Sequence, residues 1–266
     1  MKILGISARK QGGKNSSANY LSGILLKKRG VVSDFSISEE GELVVLTKYE
    51  DGTSDWGVLD LCRKDYEFII AAEQSIFPYT KNYSFADSLK ELAVNLFELK
   101  PEQVWGTDEQ KNSPTHLRWR DMPGVVTDKD IWNHVRDGYQ FLQYHNDEMM
   151  TGREFLQFFG TEIGRRIHGP IWVNATINKI KQEQSGLSFV TDVRFPDEVA
   201  AIQKAGGKVI RLTRCAFPED KHPSETSLDK DVYDWSNFDA VIDNQDLALS
   251  DTCVQVEKFA KSNNLI

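Results

Sequence analysis

One stretch near the start of the chain, Lys2–Leu21 (KILGISARKQGGKNSSANYL), restricts the fold more than any other, because it reads as a buried strand, a glycine turn and a helix start. Ile3, Leu4, Gly5 and Ile6 suit an interior strand, Gly12 and Gly13 permit backbone angles closed to other residues, and Asn15, Ser16 and Ser17 are helix-opening types. A turn of this kind aims backbone N–H groups and the positive end of a helix dipole at one point, where Lys14 adds a full charge. Polyphosphate is its natural occupant. Against the P-loop pattern G-x-x-x-x-G-K-[ST], Ala8 replaces the first glycine, Asn15 replaces the hydroxyl residue, and Ser16 follows one place later. The other reading is a glycine-rich turn with a solvated lysine.

At 266 residues the chain is long enough for one α/β domain with insertions. Its net charge of −8 argues against broad nucleic-acid binding, so no stable nucleic-acid partner is expected, whereas a small anionic substrate needs only a local positive pocket. Cys62, Cys215 and Cys253 are widely separated, and His116, His134 and His145 do not fall at metal-ligand spacing, so no zinc site is assigned. No stretch is apolar enough to span a bilayer, and the N-terminus runs directly into the first expected strand. A cytoplasmic protein without a membrane partner is expected.

After the loop, Ser17–Lys28 carries Leu21, Ile24 and Leu25 at helical spacing, Gly30 stops the helix, and Val31–Phe35 reads as a short strand. Extended segments at Leu43–Tyr49 and Trp56–Leu61, joined through EDGTS, predict a β-hairpin insertion. Two readings stand for it: a surface decoration, or a role in subunit contact or substrate closure. Lys81–Leu99 predicts a polar turn leading into a helix with Leu89, Leu92, Ala93, Leu96 and Phe97 on one face. Asp87 at its start is either an N-cap or a group facing substrate, and Lys90 lies a turn further on. Between Pro101 and Asp147 the periodicity is weak, which predicts long loops with a helix over Asp128–Gln143. Arg118 and Arg120 flank Trp119 and suit either a nucleotide-stacking or phosphate patch or, the favoured reading, a packed tryptophan beside solvated arginines.

Thr151 is placed to cap a helix carrying Phe155, Leu156 and Phe159 and ending at Gly160, with Arg153 and Gln157 projecting from one side. Thr161, Arg165 and Arg166 follow, and each arginine suits either an anionic ligand or a surface acid. Ser188–Arg214 is the clearest βαβ unit, with strands at Phe189–Val193 and Val209–Leu212 and a helix starting at Pro196. Ligands of doubly wound sheets bind beyond the carboxyl ends of strands, so Asp192 and Lys14 are expected to share a crevice. Asp192 can hold a magnesium-bound water there and Arg194 can reach a transferring phosphoryl group; the alternative is an ion pair between the two that merely fixes the turn. His222, Ser224 and Glu225 suit a polar loop over a site, and a strand Ala240–Ile242 followed by a helix with Leu249, Val254, Val256 and Phe259 closes the sheet.

Several motifs, in order along the chain, resemble the bacteriophage deoxynucleoside monophosphate kinases, a family of P-loop kinases. GKNS at Gly13–Ser16 is similar to that family's G-x-x-x-x-G-K-D-[ST] loop, with asparagine where the family has aspartate. FADSLK at Phe85–Lys90, LQFFGTEIGR at Leu156–Arg165, VTDVRFPDE at Val190–Glu198 and HPSETSLD at His222–Asp229 carry the rest of the likeness. Ser36–Tyr79 and Pro101–Asp147 lie largely outside it.

The resemblance implies a single P-loop kinase domain over residues 1–266, an α/β fold with a doubly wound, mostly parallel sheet flanked by helices. It implies insertions at about 36–79 (the hairpin) and 101–147 (a lid or substrate-binding region). The activity implied is transfer of the ATP γ-phosphoryl group to a deoxynucleoside 5′-monophosphate, with ATP as co-substrate, Mg2+ as cofactor and a homodimer as the assembly. Lys10, Gln11, Gly12, Gly13, Lys14, Asn15, Ser16 and Ser17 would then hold ATP, while Lys14, Arg194 and Arg165 meet the transferring group. Asn15, Ser16 and Asp192 would order magnesium, and Phe85, Asp87, Lys90, Arg153, Gln157 and Trp172 would form the monophosphate pocket. Two other functions fit the same motifs: a kinase acting on a modified base or end in DNA, and an inactive nucleotide-binding module, which Ala8 and Asn15 keep open.

Overall fold

Ile3–Ser7 forms β1, a strand buried along its whole length. Such a strand needs cover on both faces, and its alternating side chains supply it. Leu4 and Ile6 enter one apolar cluster with Leu21, Phe189, Ile210 and Val256, whereas Ile3 enters a second with Ile180, Val199, Ile202 and Val209. Gly5 faces the second cluster, and a Cβ there would stand 2.8 Å from Ile202 Cδ1, so glycine lets the helix Pro196–Lys204 pack onto the strand. The computed structural model describes residues 2–49, 51–122, 148–217, 219 and 223–266, with the side chains of Pro223 and Ser224 left out. The helix expected over 128–143, together with His134, His145 and His222, lies outside the described residues.

The described residues divide into two compact units, Met1–Phe85 with Val173–Ile266, and Ala86–Trp172. In the first, a five-stranded sheet runs in the order β10-β9-β1-β8-β5. Its other strands are β5 (Thr80–Tyr83), β8 (Leu187–Val190), β9 (Lys208–Leu212) and β10 (Ala240–Ile242). Every pairing in it is parallel, as expected for a doubly wound sheet. The chain fills one side of β1 with β5 and β8, then crosses to the other side for β9 and β10, so the sheet switches direction at β1. A crevice opens there beyond the carboxyl ends. Lys81–Tyr83, read above as part of a polar turn, belongs instead to the edge strand β5. A four-residue edge strand leaves little periodicity to detect.

Helix α1 (Lys14–Lys28) starts three residues earlier than its apolar spacing suggested, because the phosphate loop itself turns into the first helical turn. Gly30, at φ +73°, follows its end, with its N–H on Lys27 O. The strand expected at 31–35 is displaced: β2 spans Asp34–Ile37 and pairs antiparallel with β3 (Leu43–Lys48), which pairs with β4 (Ser54–Val58). The insertion is therefore a three-stranded sheet, larger than a hairpin. It carries a further helix, α2 (Tyr66–Ser75), capped where Asp65 accepts from Phe68 N–H. Leu43, Val45, Phe68, Ala72 and Leu26 of α1 form its core.

In the second unit, α3 (Asp87–Phe97) buries Leu89 and Ala93, while Leu96 is exposed rather than on the packed face. Residues 101–122, expected to be irregular, form short helices at Pro101–Trp105 and Asp108–Lys111 and strand β6 (Pro114–Arg118), paired with β7 (Met149–Thr151). Trp119 is buried against Phe158, as a packed tryptophan should be. Thr151 and Glu154 make a reciprocal capping box. The helix that follows does not stop at Gly160; it continues as a π-helical stretch, Phe158–Gly164, into Arg165–Ile167. Gly160 is there for space, since a Cβ would lie 2.7 Å from Leu89 Cδ2.

Gly23 lies in the middle of α1, where replacing glycine by alanine ordinarily gains about 1 kcal/mol. Here a Cβ would fall 2.3 Å from the Phe35 ring of β2. Gly23→Ala is therefore expected to lose about 1 kcal/mol or more in urea unfolding through overpacking. A stabilised variant would show that Phe35 does not seat the insertion on this helix.

Candidate functional site

The phosphate loop hangs between the end of β1 and α1, and its unusual backbone is shared between two residues: Gln11 at φ +58° and Gly13 at φ +93°. Gly12 is required for a different reason. A Cβ on it would stand 2.6 Å from Ala8 Cβ and 3.1 Å from Arg214 O, so the loop closes only around glycine. Ala8 is buried and is not among the described residues with positive φ, so an ordinary L residue fits where the general pattern has glycine. The Lys14 ammonium folds back onto the loop, donating to Ala8 O and Arg9 O at 2.9 Å each. Ser17 Oγ donates to Gly13 O, which closes the first helical turn.

Around this loop the fold gathers cations and answers them with acids. Arg194, on the turn after β8, pairs with Glu225 of the short helix Pro223–Thr226, and Glu225 also accepts the Lys10 N–H at 2.7 Å. Asp229 takes Arg9 and Arg211, and Arg211, buried at the end of β9, donates to Ser7 Oγ at 2.9 Å. Arg214 lies against the last strand's turn, where its backbone N–H donates to Asn244 Oδ1, and the buried Asn244 donates back to Gly12 O. Glu225 and Asp229 fall within the HPSETSLD motif, but neither their contacts nor that of Asn244 can be read from its spacing. Only strand order brings them to the loop.

Charge crowding shows in the titration of the site. Lys14 is pushed down to about 8, first by burial and then by Arg194, with Arg211 adding and Glu225 and Asp192 opposing. Asp192 is therefore near enough to Lys14 to oppose that shift. Its carboxylate accepts from Ser84 Oγ and from Phe85 N–H at 2.9 Å, which ties the turn after β8 to the end of β5. Phe85 is buried in the cluster that contains Val190 and Val193. Glu198, in the first turn of the following helix, accepts from Arg194 N–H and Phe195 N–H at 2.7 and 3.1 Å, and is pushed up to about 7 chiefly by burial.

A cleft of about 510 Å³ lies over the loop, lined by Gln11, Gly12, Gly13, Lys14, Asn15, Ser16, Arg214 and Leu249, and by Glu39 and Glu40. Those two acids come from the turn between β2 and β3, which the sequence reading left unassigned. Asn19 donates to Gly41 O at 3.0 Å, and a Cβ on Gly41 would strike Ser16 Oγ at 1.9 Å, so this turn is seated on the start of α1.

The remaining expected site residues lie in the second unit. Asp87 is the first residue of α3, with Ala86 at the capping position, and Lys90 follows in the same helix. Arg153 pairs with Asp108 at 2.7 Å, Gln157 is exposed, and Arg165 starts the short helical turn after the π-helical stretch. Trp172 is buried: its Nε1 donates to Gly160 O at 2.9 Å, and its ring fills the space beside Gly164.

A glycine loop after the first strand of a switched parallel sheet, ringed by lysine and arginine, defines an α/β P-loop protein. No family model matches the chain. A protein of Acanthamoeba polyphaga mimivirus called "Putative deoxynucleotide monophosphate kinase" is 32% identical over 146 residues, covering 54% of this chain and 67% of that protein. The "Deoxynucleoside-5'-monophosphate kinase" of Escherichia phage T5 is 24% identical over 205 residues, covering 64% of this chain and 77% of that protein. The "Uncharacterized protein ORF77" of Ictalurid herpesvirus 1 (strain Auburn) is 36% identical over 90 residues, and the match spans 39% of its length. The chain belongs to the viral deoxynucleoside monophosphate kinase family.

Glu198 gives the site a pH signature. Its folded pKa of about 7 stands above the ordinary 4.5, so the native state holds more protons across that window and stability falls as pH rises through it. The loss is at most about 3 kcal/mol. Glu198→Gln keeps an acceptor for the two N–H groups and escapes that loss. Its urea midpoint relative to wild type is expected to improve between about pH 5 and pH 8, and an equal difference at both pH values would remove Glu198 as the titrating group.

Proposed function

We propose that the protein transfers the γ-phosphoryl group of ATP to a deoxynucleoside 5′-monophosphate, giving the diphosphate and ADP. The observation that carries this reading is the loop itself: Lys14 lies folded over Ala8 O and Arg9 O, near enough to Arg194 and Arg211 to be lowered by both charges. The names of the mimivirus and phage T5 relatives support the choice of acceptor.

Phosphoryl transfer asks little covalent chemistry of the protein; it asks that two anions be held in line and their charge neutralised. In this reading the loop N–H groups from Gln11 to Ser16 receive the ATP phosphates, and Lys14 leaves its loop carbonyls for the β- and γ-phosphates. Phosphate near Lys14 raises its pKa from about 8, so nucleotide binding keeps the ammonium charged. Arg194 meets the transferring group. The base and ribose of ATP fit the outer part of the cleft, beside Arg214 and Leu249. The candidate acceptor residue of the first unit is Phe85.

Among the described residues no three His, Cys, Asp or Glu side chains gather into a metal site of their own, so a cation here would share its ligands with the nucleotide. The Ser16 hydroxyl, the Asn15 amide oxygen and the Asp192 carboxylate are hard oxygen donors of the kind magnesium takes. Bound with ATP, the ion would neutralise charge on the β- and γ-phosphates.

The test is coupled ADP release across a panel of deoxynucleoside monophosphates. Activity is expected with at least one of them, and Lys14→Ala and Arg194→Ala are each expected to lower turnover on the order of a hundredfold. Two folded variants retaining full activity would refute the mechanism. ATP binding without ADP release across the whole panel would point to a module without catalysis.

A further inference from the structure

Glu225 belongs to no part of the phosphate loop and to no strand, yet it is buried at the centre of the cationic crevice. One carboxylate oxygen accepts the Lys10 N–H of the loop at 2.7 Å, and the other pairs with the Arg194 guanidinium. The loop after β1, the turn after β8 and the helix after β9 thus meet at a single carboxylate. A carboxylate is expensive to bury unless each oxygen is answered, and here a backbone donor and a guanidinium answer both. Arg194 also stands close enough to Lys14 to depress that amine, so it needs a counter-charge to remain near it.

We propose that Glu225 is a positioning residue for phosphoryl transfer: by bridging Lys10 N–H and Arg194 it holds the Arg194 guanidinium against the phosphate loop. The inference rests on the kinase reading in one respect, namely that Arg194 meets the transferring group. The bridge itself is independent of that reading. Glu225 does not act on the phosphoryl group; it fixes where Arg194 can be when the phosphates arrive. Without it, the repulsion between Arg194 and Lys14 loses the carboxylate that offsets it.

Glu225→Gln tests this, because the amide keeps an oxygen for Lys10 N–H and loses the ion pair with Arg194. Turnover is expected to fall about tenfold or more while the KM for ATP changes less than about threefold, since Arg194 works mainly in the transition state. In an Arg194→Ala background the same change is expected to cost less than about twofold, as two residues acting through one function are not additive. Additive losses, or a Glu225→Gln enzyme within twofold of wild type, would overturn the proposal.

A second readout needs no catalysis. Phenylglyoxal modification of Arg194, followed by peptide mass, is expected to speed up severalfold in Glu225→Gln, while Arg63, which is paired with Asp65 on the insertion, keeps its rate. An unchanged Arg194 rate would overturn the bridge. If wild type releases no ADP from any monophosphate, the kinase reading fails and the labelling decides the bridge alone. Should Glu225→Gln not fold, Glu225→Asp, too short to span both partners, is expected to show the same faster labelling and lower turnover, and wild-type values for it would refute the proposal.

Discussion

Positive charge collected at one end of a parallel sheet has to be held there against its own repulsion, and much of the first unit can be understood from how this is done. Lys14, Arg194, Arg211 and Arg9 converge near the carboxyl ends of β1, β8 and β9. Burial and then repulsion push Lys14 down, and Arg211 is lowered by burial as well. Glu225 and Asp229, four residues apart on one short segment, answer three of the four cations between them. Such an arrangement stores positive potential that an arriving polyphosphate can use, because the cations are already desolvated and oriented.

The sheet makes that convergence possible. β1 is buried on both faces and sits at the point where strand order reverses, so three successive connections emerge side by side: the phosphate loop, the turn Asp192–Phe195 and the segment after β9. Hydrogen bonds then lock the turns to one another. Asp192 is tied to β5 through Ser84 and Phe85, Asn244 is tied to the loop through Gly12 O, and Glu198 holds the backbone of Arg194 and Phe195. Among the described residues no helix is long and apolar enough to cross a membrane.

The antiparallel insertion enters the same account. Its core leans on Leu26 of α1, and its β2–β3 turn presses Gly41 against Ser16. Glu39 and Glu40 thereby come to line the cleft over the phosphate loop.

Local chemistry was enough to read β1, the loop, α1 and the βαβ unit from Leu187 to Leu212, because each rests on contiguous signals: apolar runs, glycine pairs and a proline-started helix. The short edge strand β5 and helix α2 were not legible, the first for lack of length and the second because only Phe68 and Ala72 of its face are buried. Likewise the glycines at 12 and 13 were visible as a pair, but their reasons differ, one steric and one conformational, and only the folded loop separates them. The sequence by itself determined the glycine loop between the first strand and the first helix, and the lysine that stands on it. Tertiary structure alone decided which side chains stand against that loop, since Glu225, Asp229 and Asn244 are more than two hundred residues away along the chain and reach it only through the order of the strands.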